Sequence, residues 1–102
     1  MNPEKVGMNY EQFMASLQKT TPPAELSLAL QALWYDANDD WKQAHELAQQ
    51  DDSKDGAWVH AYLHRVEGDL ANAGYWYRRA GRAAEQGALA EERAALIRAL
   101  LA

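Results

Sequence analysis

The chain repeats itself at a fixed interval. Ala32 and Ala61 lie 29 residues apart, and the same offset relates Trp34 to Leu63, Asp40 to Asp69, Trp41 to Leu70 and Ala44 to Ala73. Small residues at matched sites in both arms of a helical hairpin let the backbones approach closely, and aspartates at matched sites cap the second arm each time. A unit of this length cannot bury its apolar side alone, so the two copies must stack. No run of β-branched residues alternates at period two, and helix formers dominate throughout. The fold expected is all-α, with five to six helices: two tandem hairpins and flanking capping helices.

Tyr10, Phe13, Met14 and Leu17 follow the i, i+3, i+4, i+7 spacing of one helical face. Asn9 with Gln12 makes a capping box for that first helix, which is expected to run to about Lys19. Thr21 and Pro22 are the expected start of a second helix, with the stripe Leu26, Ala29, Leu30, Leu33, Trp34 and Ala37. Asn38 is read as its left-handed terminator, and Asp39 or Asp40 as the cap of a third helix reaching about Gln50. After the turn DDSKDG, a fourth helix runs to Glu67, carrying Val59, Tyr62, Leu63 and Val66. Gly68 ends it, Asp69 caps a fifth through Ala80, and a last helix spans Ala88 to Leu101. Residues 1–8 are expected to be a flexible N-terminus and residues 9–102 one domain, since 102 residues bury one core and not two.

Net charge is −5, concentrated in residues 1–52 at −6 against +1 for residues 53–102. The acidic total argues against nucleic acid as a partner, because that contact needs a basic footprint. No apolar stretch approaches the roughly 20 residues that span a bilayer, and MNPEKVGMN is no secretory leader. The expectation is a cytoplasmic protein without membrane partners. Cysteine is absent, which excludes disulfides and thiolate chemistry.

NDDWKQAHELAQ and EGDLANAGYWYRRAG resemble the second arms of tetratricopeptide repeats. That pattern's small residue falls on Ala32 and Ala61, its next alanine on Ala44 and Ala73, its aromatic on Tyr77 and its final alanine on Ala80. The likeness covers residues 24 to 81, with an interval shorter than the family's roughly 34. It departs further in lacking the terminating proline, and in carrying Asp51 and His64 where the family has alanine and tyrosine. Trp58 to Gly81 is also similar to small uncharacterised bacterial proteins. The resemblance implies an interaction or peptide-binding module.

His60, His64 and Glu67 occupy i, i+4 and i+7 on the fourth helix, and His45 on the preceding helix is in reach as a fourth member. Two histidines at this spacing can chelate a divalent metal such as zinc, with carboxylate as a further ligand. Against that, Ala57 and Ala61 share the face and point to close helix packing, which would make the imidazoles structural with no cofactor at all. HxxxH lacks the internal glutamate of zinc peptidases. Serines 16, 27 and 53 have no activating context, and the pairs Asp39–Asp40, Asp51–Asp52 and Glu91–Glu92 read as caps and surface groups. No catalytic residue is assigned.

Tyr75, Trp76 and Tyr77 cannot share one buried face at 100° per residue. With Tyr77 inward, Tyr75 forms an outer stripe with Arg78, Arg79 and Arg82, suited to carboxylate or phosphate groups. The leading expectation is a non-catalytic module that binds a protein or acidic peptide through Tyr75, Arg78, Arg79 and Arg82, with Trp58 and Tyr62 as further contacts. The alternative is a small ligand or metal at His45, His60, His64 and Glu67. The apolar side of the last helix either caps the stack or makes a homodimer.

Overall fold

In the computed structural model, which describes residues 7–102, the helices are α1 (Tyr10–Ser16), α2 (Leu28–Ala37), α3 (Trp41–Gln49), α4 (Lys54–Val66), α5 (Leu70–Ala80) and α6 (Leu89–Leu101). No strand occurs among the described residues. The expected flexible segment 1–8 lies outside them except for Gly7 and Met8. The capping box is present: the Asn9 side chain accepts from the Gln12 N–H at 2.8 Å, and the Gln12 side chain accepts from the Asn9 N–H at 2.9 Å.

Two boundaries differ from expectation. α1 stops at Ser16 and not at Lys19, because Leu17, Gln18 and Lys19 donate to residues three back and tighten into single turns. α2 begins at Leu28, six residues past Pro22, with the Ser27 hydroxyl accepting from the Leu30 N–H at 3.2 Å. The reason lies in the double proline: Pro23 disfavours helical ψ at Pro22, so no helix can start there.

The 29-residue offset holds at the level of single hydrogen bonds. Asp40 N–H donates to the Tyr35 carbonyl at 2.9 Å, and Asp69 N–H to the His64 carbonyl at 2.9 Å. Each aspartate then accepts through Oδ1 from the third residue of its helix, Gln43 or Asn72, at 3.2 Å. The left-handed residue is Asp39 (φ 63°) in the first hairpin and Gly68 (φ 85°) in the second. Asn38, with φ −98°, does not take that role; the turn closes one residue later than the sequence suggested.

α4 is the centre of the molecule. It packs on α5, α3, α2 and α6, and every residue from Gly56 to His64 is buried. Val66, expected in its packed face, is partly exposed. Gly56 has no room for a side chain: a Cβ there would fall on the backbone and side chain of Asp51.

α6 differs from the expected end cap. It crosses the first arms of both hairpins, α2 and α4, and α1 packs on it in turn. Leu96, Ile97 and Leu101 are buried in the chain's own core, so the apolar side expected to cap or dimerise is turned inward across the arms. Two buried carboxylates hold the crossing. Glu92 accepts from the Tyr77 hydroxyl at 2.5 Å, from the Trp58 indole at 3.3 Å and from Arg65. Asp36 accepts from the Tyr62 hydroxyl at 2.8 Å and lies 3.5 Å from Arg93. Burial, reinforced by these carboxylates, pushes both tyrosine hydroxyls far above their ordinary pKa. Glu92 is therefore not the surface group the sequence implied. It sits four residues before Leu96, on the inward stripe of α6.

α5, by contrast, packs closely only on α4, and Leu70 at its start is 68% exposed. No helix of the described residues is long and apolar enough to cross a membrane.

Candidate functional site

His45, from α3, meets His60 and His64, from α4, at the seam between the two hairpins. One ligand nitrogen from each ring lies within 4.8 Å of the others. The closest approach is His45 Nε2 to His60 Nε2 at 3.1 Å. Spacing by four puts His60 and His64 one turn apart on α4 with their rings stacked, centroids 4.9 Å apart. His45 stands nearly perpendicular to both, at 82° and 75°.

Two tryptophans bracket the imidazoles. Trp41 stacks on His45 at 4.7 Å, with its indole N–H anchored on the Leu63 carbonyl at 2.7 Å. Trp76, from α5, stacks on His60 at 3.9 Å. The cluster is thereby held from two sides. His60 and His64 are only 4% and 6% exposed, while His45 is half-buried and forms the open side. There the Gln49 amide lies 3.5 Å from His45 Nε2.

Burial and the neighbouring rings depress the basicity of this group. Desolvation, then His45 and His64, brings His60 down to about 4, and desolvation with His64 also lowers His45. These two rings are neutral at pH 7, one Nε2 donating to the other across the 3.1 Å contact, and a ligand that displaces that proton meets two lone pairs.

Glu67 does not join the cluster as a fourth member. Its Oε1 takes the Nδ1 side of His64 at 2.6 Å, which leaves Nε2 as the other ring nitrogen. The ring comes between Glu67 and the other imidazoles, so the expected four-residue set becomes a triad with a carboxylate behind one member. Asp69, the cap of α5, also approaches this outer side of His64, a proximity that no spacing in the sequence marks.

The expected partner-binding stripe is divided. Tyr62 is buried in the core with its hydroxyl on Asp36, and Trp58 is buried with its indole N–H on Glu92, so neither offers a contact surface. Arg82 leaves the stripe to lie over the Trp58 ring, 3.3 Å from its centroid. Tyr75 is 45% exposed, and Arg78 and Arg79 are exposed beside it. Arg79 donates to the Tyr75 hydroxyl at 3.2 Å and lies over Trp76 at 5.2 Å. Among the described residues none of these three arginines has a carboxylate at ion-pair distance.

No spacing in the sequence marks Trp41 and Trp76 as walls of the imidazole cluster. Consecutive aromatics at 75–77 signalled that one ring had to face a neighbouring helix, without saying which side chain it would meet. Comparison of the chain with protein-family models, with curated proteins and with solved structures gives no match.

Proposed function

We propose that the protein binds a divalent transition metal, zinc being the simplest case, through His45, His60 and His64, on a tetratricopeptide-like pair of hairpins. The observation that carries this reading is the convergence of three imidazoles within 4.8 Å from two helices. With metal–nitrogen bonds of about 2.0–2.1 Å, a tetrahedral ion separates its ligands by about 3.3 Å. The 3.1 Å between His45 and His60 is close to that edge. Glu67 supports it too, since a carboxylate on the second ring nitrogen fixes the tautomer and raises the donor strength of the first. Three protein ligands leave a position open, the arrangement of a site that meets a further molecule.

Metal analysis of purified protein and titration with cobalt test this directly. One equivalent is expected to bind the native chain, and His60→Gln and His64→Tyr should each lower affinity at least a hundredfold while the helical circular dichroism persists. Absence of stoichiometric binding at micromolar metal removes the reading.

A second reading is favoured by a different observation: Tyr75, Arg78 and Arg79 are exposed without carboxylate partners on the uncovered side of α5. An acidic peptide suits that surface, and helical hairpin arrays present faces of this kind. Arg78→Glu with Tyr75→Ala should abolish capture of an acidic peptide and leave metal binding intact. Capture that survives both changes rules that surface out.

A further inference from the structure

The turn between α4 and α5 carries a second set of ligand groups. His64, Glu67 and Asp69 each bring one ligand atom to within 4.8 Å of the others. The geometry points to a second divalent cation held there, on the Nδ1 side of His64, so that this ring bridges two ions. The assignment deepens the metal reading and rests on it only for the other side of the ring. His64 is 6% exposed and turns Nδ1 onto the Glu67 carboxylate at 2.6 Å. Asp69 is held beside it by the backbone, its N–H donating to the His64 carbonyl at 2.9 Å. The two carboxylates thus approach each other, and among the described residues neither has a lysine or arginine at ion-pair distance. Like charges so placed repel, and a cation shared between them turns that repulsion into attraction.

The first hairpin has the same turn without these ligands. Tyr35, Asn38 and Asp40 stand 29 residues before His64, Glu67 and Asp69. Asp40 caps α3 as Asp69 caps α5, while Asn38 donates its side-chain amide to the Trp34 carbonyl at 3.3 Å. Capping therefore requires the aspartate alone, and the histidine and glutamate are additions that the turn does not need. One imidazole nitrogen with two carboxylates suits zinc, cobalt or manganese. With metal–nitrogen bonds of about 2.0–2.1 Å, ions on the two nitrogens of one ring stand roughly 6 Å apart. Their repulsion, and the exposure of Glu67 and Asp69, make the outer ion the weaker, so it binds after the triad is filled. The proton on Nδ1 then passes to solvent, and the ring coordinates through both nitrogens.

Cobalt titration into the millimolar range, followed by calorimetry and visible absorption, tests the assignment. The native chain is expected to show a second, weaker class beyond the first equivalent. Asp69→Asn, which keeps a capping side chain, should weaken the second class at least tenfold and leave the first unchanged. His45→Gln/His60→Gln should remove the first class and keep the second. His64→Tyr should remove both while the helical circular dichroism persists. A single class confined to the triad overturns this inference and leaves the metal reading standing. A second class that ignores Asp69→Asn, or survives His64→Tyr, also overturns it. A sole class that answers to Asp69→Asn and not to His45→Gln/His60→Gln upholds the outer site and removes the triad reading. Failure of cobalt to bind at all removes both.

Discussion

The two hairpins have the same turn, bond for bond, and different side chains where they meet. His60 and His64 stand where the first hairpin has Gln31 and Tyr35, and His45 stands where the second has Gly74. Every member of the imidazole triad is thus a departure from the repeat, whereas Ala32, Ala61, Ala44, Ala73, Asp40 and Asp69 keep to it. The matched positions build a frame; the unmatched ones fill its seam with one kind of side chain. A second contrast runs along the stack. Trp41 is covered by α4 and bonded to Leu63, while its counterpart Leu70 faces solvent because among the described residues no helix but α4 packs on α5.

Breaking the anchor of α6 should have the largest effect. Glu92→Ala strands Arg65, the Tyr77 hydroxyl and the Trp58 indole, and is expected to cost about 3–5 kcal/mol in urea denaturation. Asp36→Asn, which keeps an acceptor for Tyr62, should cost about 1–3 kcal/mol. Equal costs would mean that the two carboxylates are equivalent, against the donor sets seen here.

The next test makes the seam symmetric. His60 stays neutral in the fold to about pH 4, whereas in the unfolded chain it takes up a proton near 6.5. The unfolded state therefore binds more protons between those values, and stability falls as pH is lowered through that window. At 1.36 kcal/mol per pKa unit this amounts to roughly 3 kcal/mol between pH 7 and 4. His60→Gln, which restores the residue of the first hairpin, should remove that part of the slope in urea midpoints taken from pH 7 to 4. An unchanged slope would place the acid sensitivity elsewhere.

Smaller effects come from the turns. Gly68→Ala puts a side chain at φ 85° and should cost about 1 kcal/mol, while Asp39→Gly should gain a comparable fraction, both read from thermal melts. Last, Leu70→Ala should stay within about 0.5 kcal/mol, although the equivalent Trp41→Ala costs several times more.

Much of the frame was legible in the sequence. Five to six helices, the Asn9 box, a cap at Asp39 or Asp40 and another at Asp69 follow from local chemistry, which acts over a few residues; that the cap is Asp40 and Asp39 turns left-handed is decided by the structure. At the start of α2 two local effects oppose each other, the suitability of Pro22 for a first helical position and the bar that Pro23 sets on helical ψ at Pro22, and the second prevails. The triad was half legible. Spacing on α4 gave His60 and His64, and adjacency of helices gave His45, but Glu67's position depends on a ring rotation that no spacing encodes. The burial of Trp58 and Tyr62 has a different cause: it depends on where α6 lies, and α6 is joined by a link of several exposed residues with no directional signal.

The grip on α6 has a consequence for how the molecule comes apart. Asp36 and Arg65 occupy equivalent places in the two hairpins, carry opposite signs, and grasp the adjacent residues Arg93 and Glu92. One rod thus fastens both units at once, and neither can fray while the other stays closed. Amide protons in α2 and α4 should therefore exchange with a common opening free energy, as a single cooperative block, where a simple linear array would unzip from its ends.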